Sequence, residues 1–235
     1  MAQVFWRLSH GCVLTGLAES DEKVMEPLEA QYGPMEPWVR MNRATGVSIH
    51  VLLGGTRVND ITWTWYSQCL IQDRVLRMFR EQGFTGFDVH PVEAKWKKNR
   101  REGSPDIPTL WELIPLGWGG MAPEESGIHR VPGPPDAPES LCYSDLVDPS
   151  KLVDEKQWDG SDFFIFWPMP TYINVTDRVA RFIRDNKLRT AVLERLDRLQ
   201  VHTDDGLATG YTPGPLRWYF PEPRAREIGE PLGIY

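Results

Sequence analysis

Cysteine is scarce in this chain of 235 residues, and its three copies lie far apart at Cys12, Cys69 and Cys142. No CxxC zinc pair is present, and no disulfide framework can be inferred from an odd number of widely separated residues. Reduced thiols in a cytosol are the simplest interpretation. We therefore expect a cytoplasmic protein.

Long hydrophobic runs are also missing. No stretch approaches the roughly 20 apolar residues that cross a membrane. The first residues, MAQVFWRLSHGCVLTG, lack the basic region and the apolar run of a signal peptide. We expect no membrane association.

Positive charge is in deficit, with 26 Lys and Arg against 33 Asp and Glu and a net charge of −7. Nucleic acid is a poor candidate partner, because phosphate binding depends on Lys and Arg. The one basic run, KWKKNRR at 95–101, contains an aromatic residue as nucleic-acid contacts do, but we interpret it as a solvated loop edge. The acidic balance is compatible with a basic protein partner, since opposite charge steers encounter.

The chain also lacks the common catalytic signatures, namely a GxSxG elbow, a GxGxxG loop and a phosphate-binding P-loop. Two polar groups remain as candidate chemistry. Asp159 and Asp162 in WDGSD have the composition of a carboxylate pair, and His202 with Asp204 and Asp205 combines imidazole with carboxylates. The simpler interpretation of each is a polar turn, bent in the first case at Asp159-Gly160. We predict no catalytic residue, metal ligand or cofactor, and retain a small Asp- or His-based hydrolase as the alternative.

Ordinary globular composition, with 41% hydrophobic residues, predicts a packed core. Apolar patterns predict helices and strands along much of the chain. The helices are expected at 73–82 and 177–186, and the strands at 2–8, 47–53, 61–66, 86–92 and 172–175. The segment 192–201 is compatible with either. The Pro- and Gly-rich region 103–138 is predicted to be mostly irregular apart from a short strand at 110–116, and so is the tail after Gly206.

The two predicted helices are similar to each other. Five residues of the first recur 104 positions later, where Asp73, Arg74, Val75, Arg77 and Arg80 match Asp177, Arg178, Val179, Arg181 and Arg184. Upstream, the same offset matches Ile61 and Trp63 with Ile165 and Trp167. We interpret this pattern as a strand–helix–strand unit used twice. It favours a strand at 192–201, because the matching segment after Gly86 has a strand pattern.

The repeated units also resemble a known family. QDRVLRMFREQGFTGFDVHPVE, WDGSDFF and VTDRVARFIRDNKLRTAVLERL together are similar to segments of immunity proteins from bacterial polymorphic toxin systems, in the group that includes the myxobacterial double-CXXCG paralogues. The resemblance covers roughly 60–93 and 158–198. This chain has no CXXCG motif, so no metal-binding feature is carried over. The resemblance implies a cytoplasmic protein that binds a cognate toxin and blocks it.

These observations predict an α/β (α+β) fold in which a mixed sheet carries the two repeated units and long Pro- and Gly-rich loops. We expect one globular domain over 1–235. The alternative is two lobes, about 1–102 and 150–235, joined by the loop region 103–149.

A binding protein needs a surface, and protein interfaces favour large aromatic rings within a polar rim. We predict an acidic rim with an aromatic centre that faces a basic toxin. The candidate partner-binding residues are Asp21, Glu22, Glu124 and Glu125 for the rim, and Trp118 and Trp158 for the centre.

Overall fold

The computed structural model describes residues 3–9, 18–20, 48–54, 57–64, 68–97, 106–131, 142–143, 148–199 and 213–235. Within these ranges the chain forms strands in two mixed sheets together with three α-helices, which confirms the α/β (α+β) class. None of the helices in the described part has the length and apolar character needed to cross a bilayer.

The chain begins in one sheet, forms the whole of the other, and then returns to the first. They are β1 Phe5–Ser9, β2 Glu19–Ser20, β3 Ile49–Leu53, β4 Ile61–Trp63, β5 Cys69–Gln72, β6 Phe87–Trp96, β7 Leu110–Pro115, β8 Gly117–Met121, β9 Arg130–Val131, β10 Cys142–Tyr143, β11 Phe163–Trp167, β12 Met169–Thr176 and β13 Val192–Arg195. One sheet has the order β13-β1-β12-β11-β8 and the other β2-β3-β6-β7-β5-β4, while β9 and β10 pair alone. All neighbours are antiparallel except β11 with β8 and β3 with β6, which are parallel.

The helices are α1 Asp73–Glu81, α2 Asp177–Asp185 and α3 Glu222–Leu232. The first two agree with the sequence prediction, because apolar residues at helical spacing bury one face of each. The buried residues are Val75, Leu76 and Phe79 in α1 and Val179, Ala180 and Ile183 in α2. Together with inward-facing residues of both sheets, they form one shared core cluster.

The strand pairing shows that the two repeated sequences also adopt equivalent structures. Ile71 of β5 pairs with Trp111 of β7, and Val175 of β12 pairs with Trp6 of β1. The two tryptophans then donate equivalent hydrogen bonds to the aspartates that begin the helices. Trp111 Nε1 lies 3.1 Å from Asp73 Oδ1, and Trp6 Nε1 lies 3.0 Å from Asp177 Oδ1.

The order of the equivalent strands along the chain differs between the two units, although their order within the sheet is the same. The first unit runs β4-β5-α1-β6-β7, and the second runs β11-β12-α2-β13 and takes its fourth strand from β1 at the opposite end of the chain. The second unit is therefore a circular permutation of the first. The short likeness between WRL in β1 and WEL in β7 is its only sequence trace.

One detail of the predicted repeat is wrong. In the first unit, Ile61 pairs with Ile71. In the second unit, Val175 is the counterpart of Ile71, and it pairs with Phe163. The first strand of the second unit is therefore related to that of the first unit by an offset of 102 residues. The counterpart of Ile61 is Phe163 and not Ile165. The hairpin of the second unit is longer by two residues, at the Trp167–Pro168 turn.

The second residue after each of these two helices takes the same left-handed conformation. Gly83 has φ +64°, and its counterpart Lys187 has φ +49°. Three positions later, Gly86 and Thr190 match in the same way, with φ of +78° and +66°. Glycine adopts this conformation without steric cost, while lysine and threonine do not. The turn is thus retained in the second unit although both glycines have been replaced.

Two segments are more regular than the sequence predicted. GWGGM at 117–121 forms β8, where the absence of a side chain on Gly119 lets the ring of Phe164 pack closely; a Cβ there would lie 2.5 Å from that ring. The prediction of an irregular tail is wrong for α3. Pro223 lies in its first turn, where no hydrogen-bond donor is lost, and Pro231 lies near its end.

Candidate functional site

Asp159 is the first carboxylate of the WDGSD segment, and it forms a turn as predicted. Its Oδ1 accepts a hydrogen bond from the Ser161 backbone N–H at 3.0 Å, and Gly160 has φ +85°. Its Oδ2 accepts from the Trp118 backbone N–H and from Arg224 of α3, both at 2.9 Å. Asp159 therefore joins the turn to β8 and α3.

Asp162 is buried and has different partners. It accepts hydrogen bonds from Thr176 Oγ1 at 2.8 Å, from the Thr85 backbone N–H at 3.1 Å and from Arg178 Nη1 at 3.1 Å. These partners come from both repeated units. Asp162 serves as a structural acceptor between the units, and its contacts are not shared with Asp159.

The second predicted cluster, His202 with Asp204 and Asp205, lies outside the described residues. In the part of the chain that is described, no three or more His, Cys, Asp or Glu side chains are grouped to hold a metal ion.

An open groove of about 750 Å³ lies at one end of the sheet that contains β1. Four segments distant in sequence line it, namely residues 3–5, Pro123 with Glu125, residues 149–156 and residues 196–197. Its apolar lining consists of the partly exposed residues Val4, Pro123, Pro149 and Val153 and the buried residues Phe5, Leu152 and Leu196. Four carboxylates (Glu125, Asp154, Glu155 and Asp197) and two lysines (Lys151 and Lys156) give this groove a net negative charge.

Hydrogen bonds hold three of the nearby carboxylates in place. The backbone N–H of Lys156 and the side chain of Gln157 lower the pKa of Asp154. The guanidinium of Arg195 lowers the pKa of Asp197, and hydrogen bonds from Ser150 lower the pKa of neighbouring Asp148. These hydrogen bonds favour the charged form of the three carboxylates, two of which, Asp154 and Asp197, line the groove.

Some of the predicted partner-binding residues meet at this groove. Glu125 lines it, and exposed Glu124 is its neighbour in the 3₁₀ turn Glu124–Ser126. Trp158 packs edge-on against Phe5, with ring centroids 5.2 Å apart, so it supports the apolar floor from behind. The groove itself was not visible in the sequence, because no local pattern links its four segments.

The other predicted partner-binding residues lie elsewhere. Trp118 is only 7% exposed and packs against Phe220, so its ring belongs to the core and offers a partner little surface. Asp21 and Glu22 lie outside the described residues.

A polar pair on the other sheet, one buried residue and one partly buried residue, was missed by the sequence analysis. Glu112, which has no exposed surface, lies directly opposite His90 across strands β7 and β6. Partial burial lowers the pKa of His90, and the negative charge of Asp88 opposes that shift. A lone Glu within the apolar run LWELIP was the available signal, since an acidic residue in a central strand is costly to bury.

Comparison with known proteins adds no relative from which a role could be transferred. No protein-family model matches the chain, and no curated protein matches it significantly.

Proposed function

We propose that this chain is an immunity protein, which binds a cognate bacterial toxin and neutralises it through protein–protein contact in the cytoplasm. The toxin surface that it recognises is basic. The proposal rests first on the sequence resemblance of the repeated units, and its main structural support is the acidic groove.

The groove supports a binding role because it combines features of a protein interface. Apolar side chains form its floor, and carboxylates surround them. Interfaces with an apolar centre and a charged rim gain affinity from the centre, while the rim contributes specificity and speed of association. Glu125, predicted as a partner-binding residue, lies in this rim.

The placement of the WDGSD aspartates also favours binding over the alternative of an Asp-based hydrolase. A carboxylate pair in catalysis faces a common substrate, with one group as acid and the other as base or nucleophile. Asp159 bonds to a turn, to β8 and to α3, whereas Asp162 bonds between the repeated units. Both carboxylates are engaged in holding the fold.

The test is coexpression with the toxic domain encoded beside this chain. We expect cells to survive only when the chain is present, and the two proteins to elute together in size-exclusion chromatography with light scattering. A charge-matched unrelated acidic protein is the control for nonspecific neutralisation. Failure to rescue growth and failure to form a complex would together refute the proposal.

A further inference from the structure

The geometry points to the acidic groove as the docking site for an extended, lysine- or arginine-bearing segment of the toxin. This inference rests on the proposed function and assigns it a place on the molecule. The partner is a protein segment, because the groove offers both an apolar floor and separated carboxylates.

The floor fits the aliphatic part of a long cationic side chain. The accessible part of the floor comes from Val4, Pro123, Pro149 and Val153, which line the groove and are partly exposed. Phe5, Leu152 and Leu196 line it as well, but they are buried and belong to the core cluster. Lysine and arginine place their methylene groups on apolar surface while the charged end remains near polar groups. A floor of this kind, anchored in the core, is formed before the partner arrives.

The carboxylates are fixed at the sides of this floor. Glu155 Oε1 accepts a hydrogen bond from the Gln3 backbone N–H at 2.8 Å, which joins the 149–156 segment to the start of the chain. Asp197 is held by Arg195 through two contacts, of 2.9 and 2.5 Å. Glu125, Glu155 and Asp197 are all exposed, and Glu125 is the one chosen for testing because Glu155 and Asp197 already accept hydrogen bonds from Gln3 and Arg195.

Glu125→Arg is the variant that tests this site by charge. Glu81→Arg is its matched control, since Glu81 is exposed at the end of α1, outside the groove lining, and the change in net charge is identical. Val4→Trp tests the site by volume, because Val4 lines the groove and is only partly buried. The probe is the catalytically disabled toxic domain encoded beside this chain, and affinity is measured by calorimetry at low and high salt.

We expect Glu125→Arg and Val4→Trp each to weaken binding by about tenfold or more, and Glu81→Arg to change it by less than about twofold. The difference between Glu125→Arg and wild type should shrink at high salt. Thermal unfolding of each variant confirms that it is folded.

If the wild-type chain binds and both groove variants bind equally well, the groove assignment is wrong although the proposed function stands. If the wild-type chain does not bind, the proposed function fails as well.

Discussion

The carboxylate of Asp60 accepts a hydrogen bond from the backbone N–H of Arg189, at 2.9 Å and 129 residues further along the chain. The counterpart of this contact is the bond from the Thr85 N–H to Asp162, so each unit holds the turn that follows the helix of the other. Each aspartate also forms an ion pair with an arginine of its own unit, Asp60 with Arg74 and Asp162 with Arg178. The interface between the units is therefore reciprocal, as in a symmetric dimer.

Loss of one such aspartate should destabilise the whole fold. Asp162→Ala leaves the buried hydroxyl of Thr176, the partly buried N–H of Thr85 and the guanidinium of Arg178 without their acceptor, and we expect it to lower the free energy of unfolding by about 3 kcal/mol. Asp185→Ala, at an exposed position, should change it by less than about 0.5 kcal/mol. Urea unfolding followed by circular dichroism measures both. Equal stability of the two variants would show that the reciprocal contacts contribute little.

The second unit should gain stability from the glycine that the first unit has. Lys187 is exposed and adopts the left-handed conformation found at Gly83. Because glycine relieves this strain but also loses more conformational entropy on folding, we expect Lys187→Gly to stabilise the protein by about 0.5 kcal/mol.

The reverse comparison is Gly83→Ala, which should destabilise the protein by about 1 kcal/mol for the same reason. The free energies of unfolding of both variants can be compared with wild type in one series. A less stable Lys187→Gly variant would contradict the structural equivalence of the two turns.

His90 should make stability depend on pH in the mildly acidic range. Its pKa in the folded protein lies below its ordinary value of 6.5, because burial disfavours the charged imidazolium. The unfolded chain therefore binds more protons just below pH 6.5, and stability falls as the pH falls through that window.

In the variant His90→Gln this contribution is absent, so the free energy of unfolding should depend less on pH between about 5.5 and 7 than in wild type. Chemical denaturation at several pH values gives both curves. Parallel curves for the two proteins would mean that His90 ionises equally readily in the folded and unfolded states.

Sequence patterns identified the parts of the fold that depend on local periodicity. Helices α1 and α2 follow from apolar residues at helical spacing, and the turn at Asp159-Gly160 follows from its residue types. By contrast, β8 has three glycines in five residues, and it forms because Phe164 and its neighbours on β11 provide a surface for it. Such tertiary contacts produce no periodic pattern of apolar residues in the sequence.

The permuted second unit and the groove could not be predicted for a related reason. The strand β1 completes a unit that begins at Phe163, and only the Trp and Leu shared by WRL and WEL connect it with β7. The groove is lined by four segments that are distant in sequence, so it exists only in the folded protein. Glu125 and Trp158 were predicted from residue type, whereas the position of Glu125 at the groove and the contact of Trp158 with Phe5 are visible only in the structure.

The most direct test of the binding account is the stoichiometry of neutralisation. Residual activity of the toxic domain is measured while this chain is added in increasing molar ratio. We predict a linear fall that ends at a fixed ratio, independent of incubation time, with intact and active toxin recovered after the complex is separated. Time-dependent loss of toxin activity at a small fraction of that ratio would show catalytic inactivation and contradict the account.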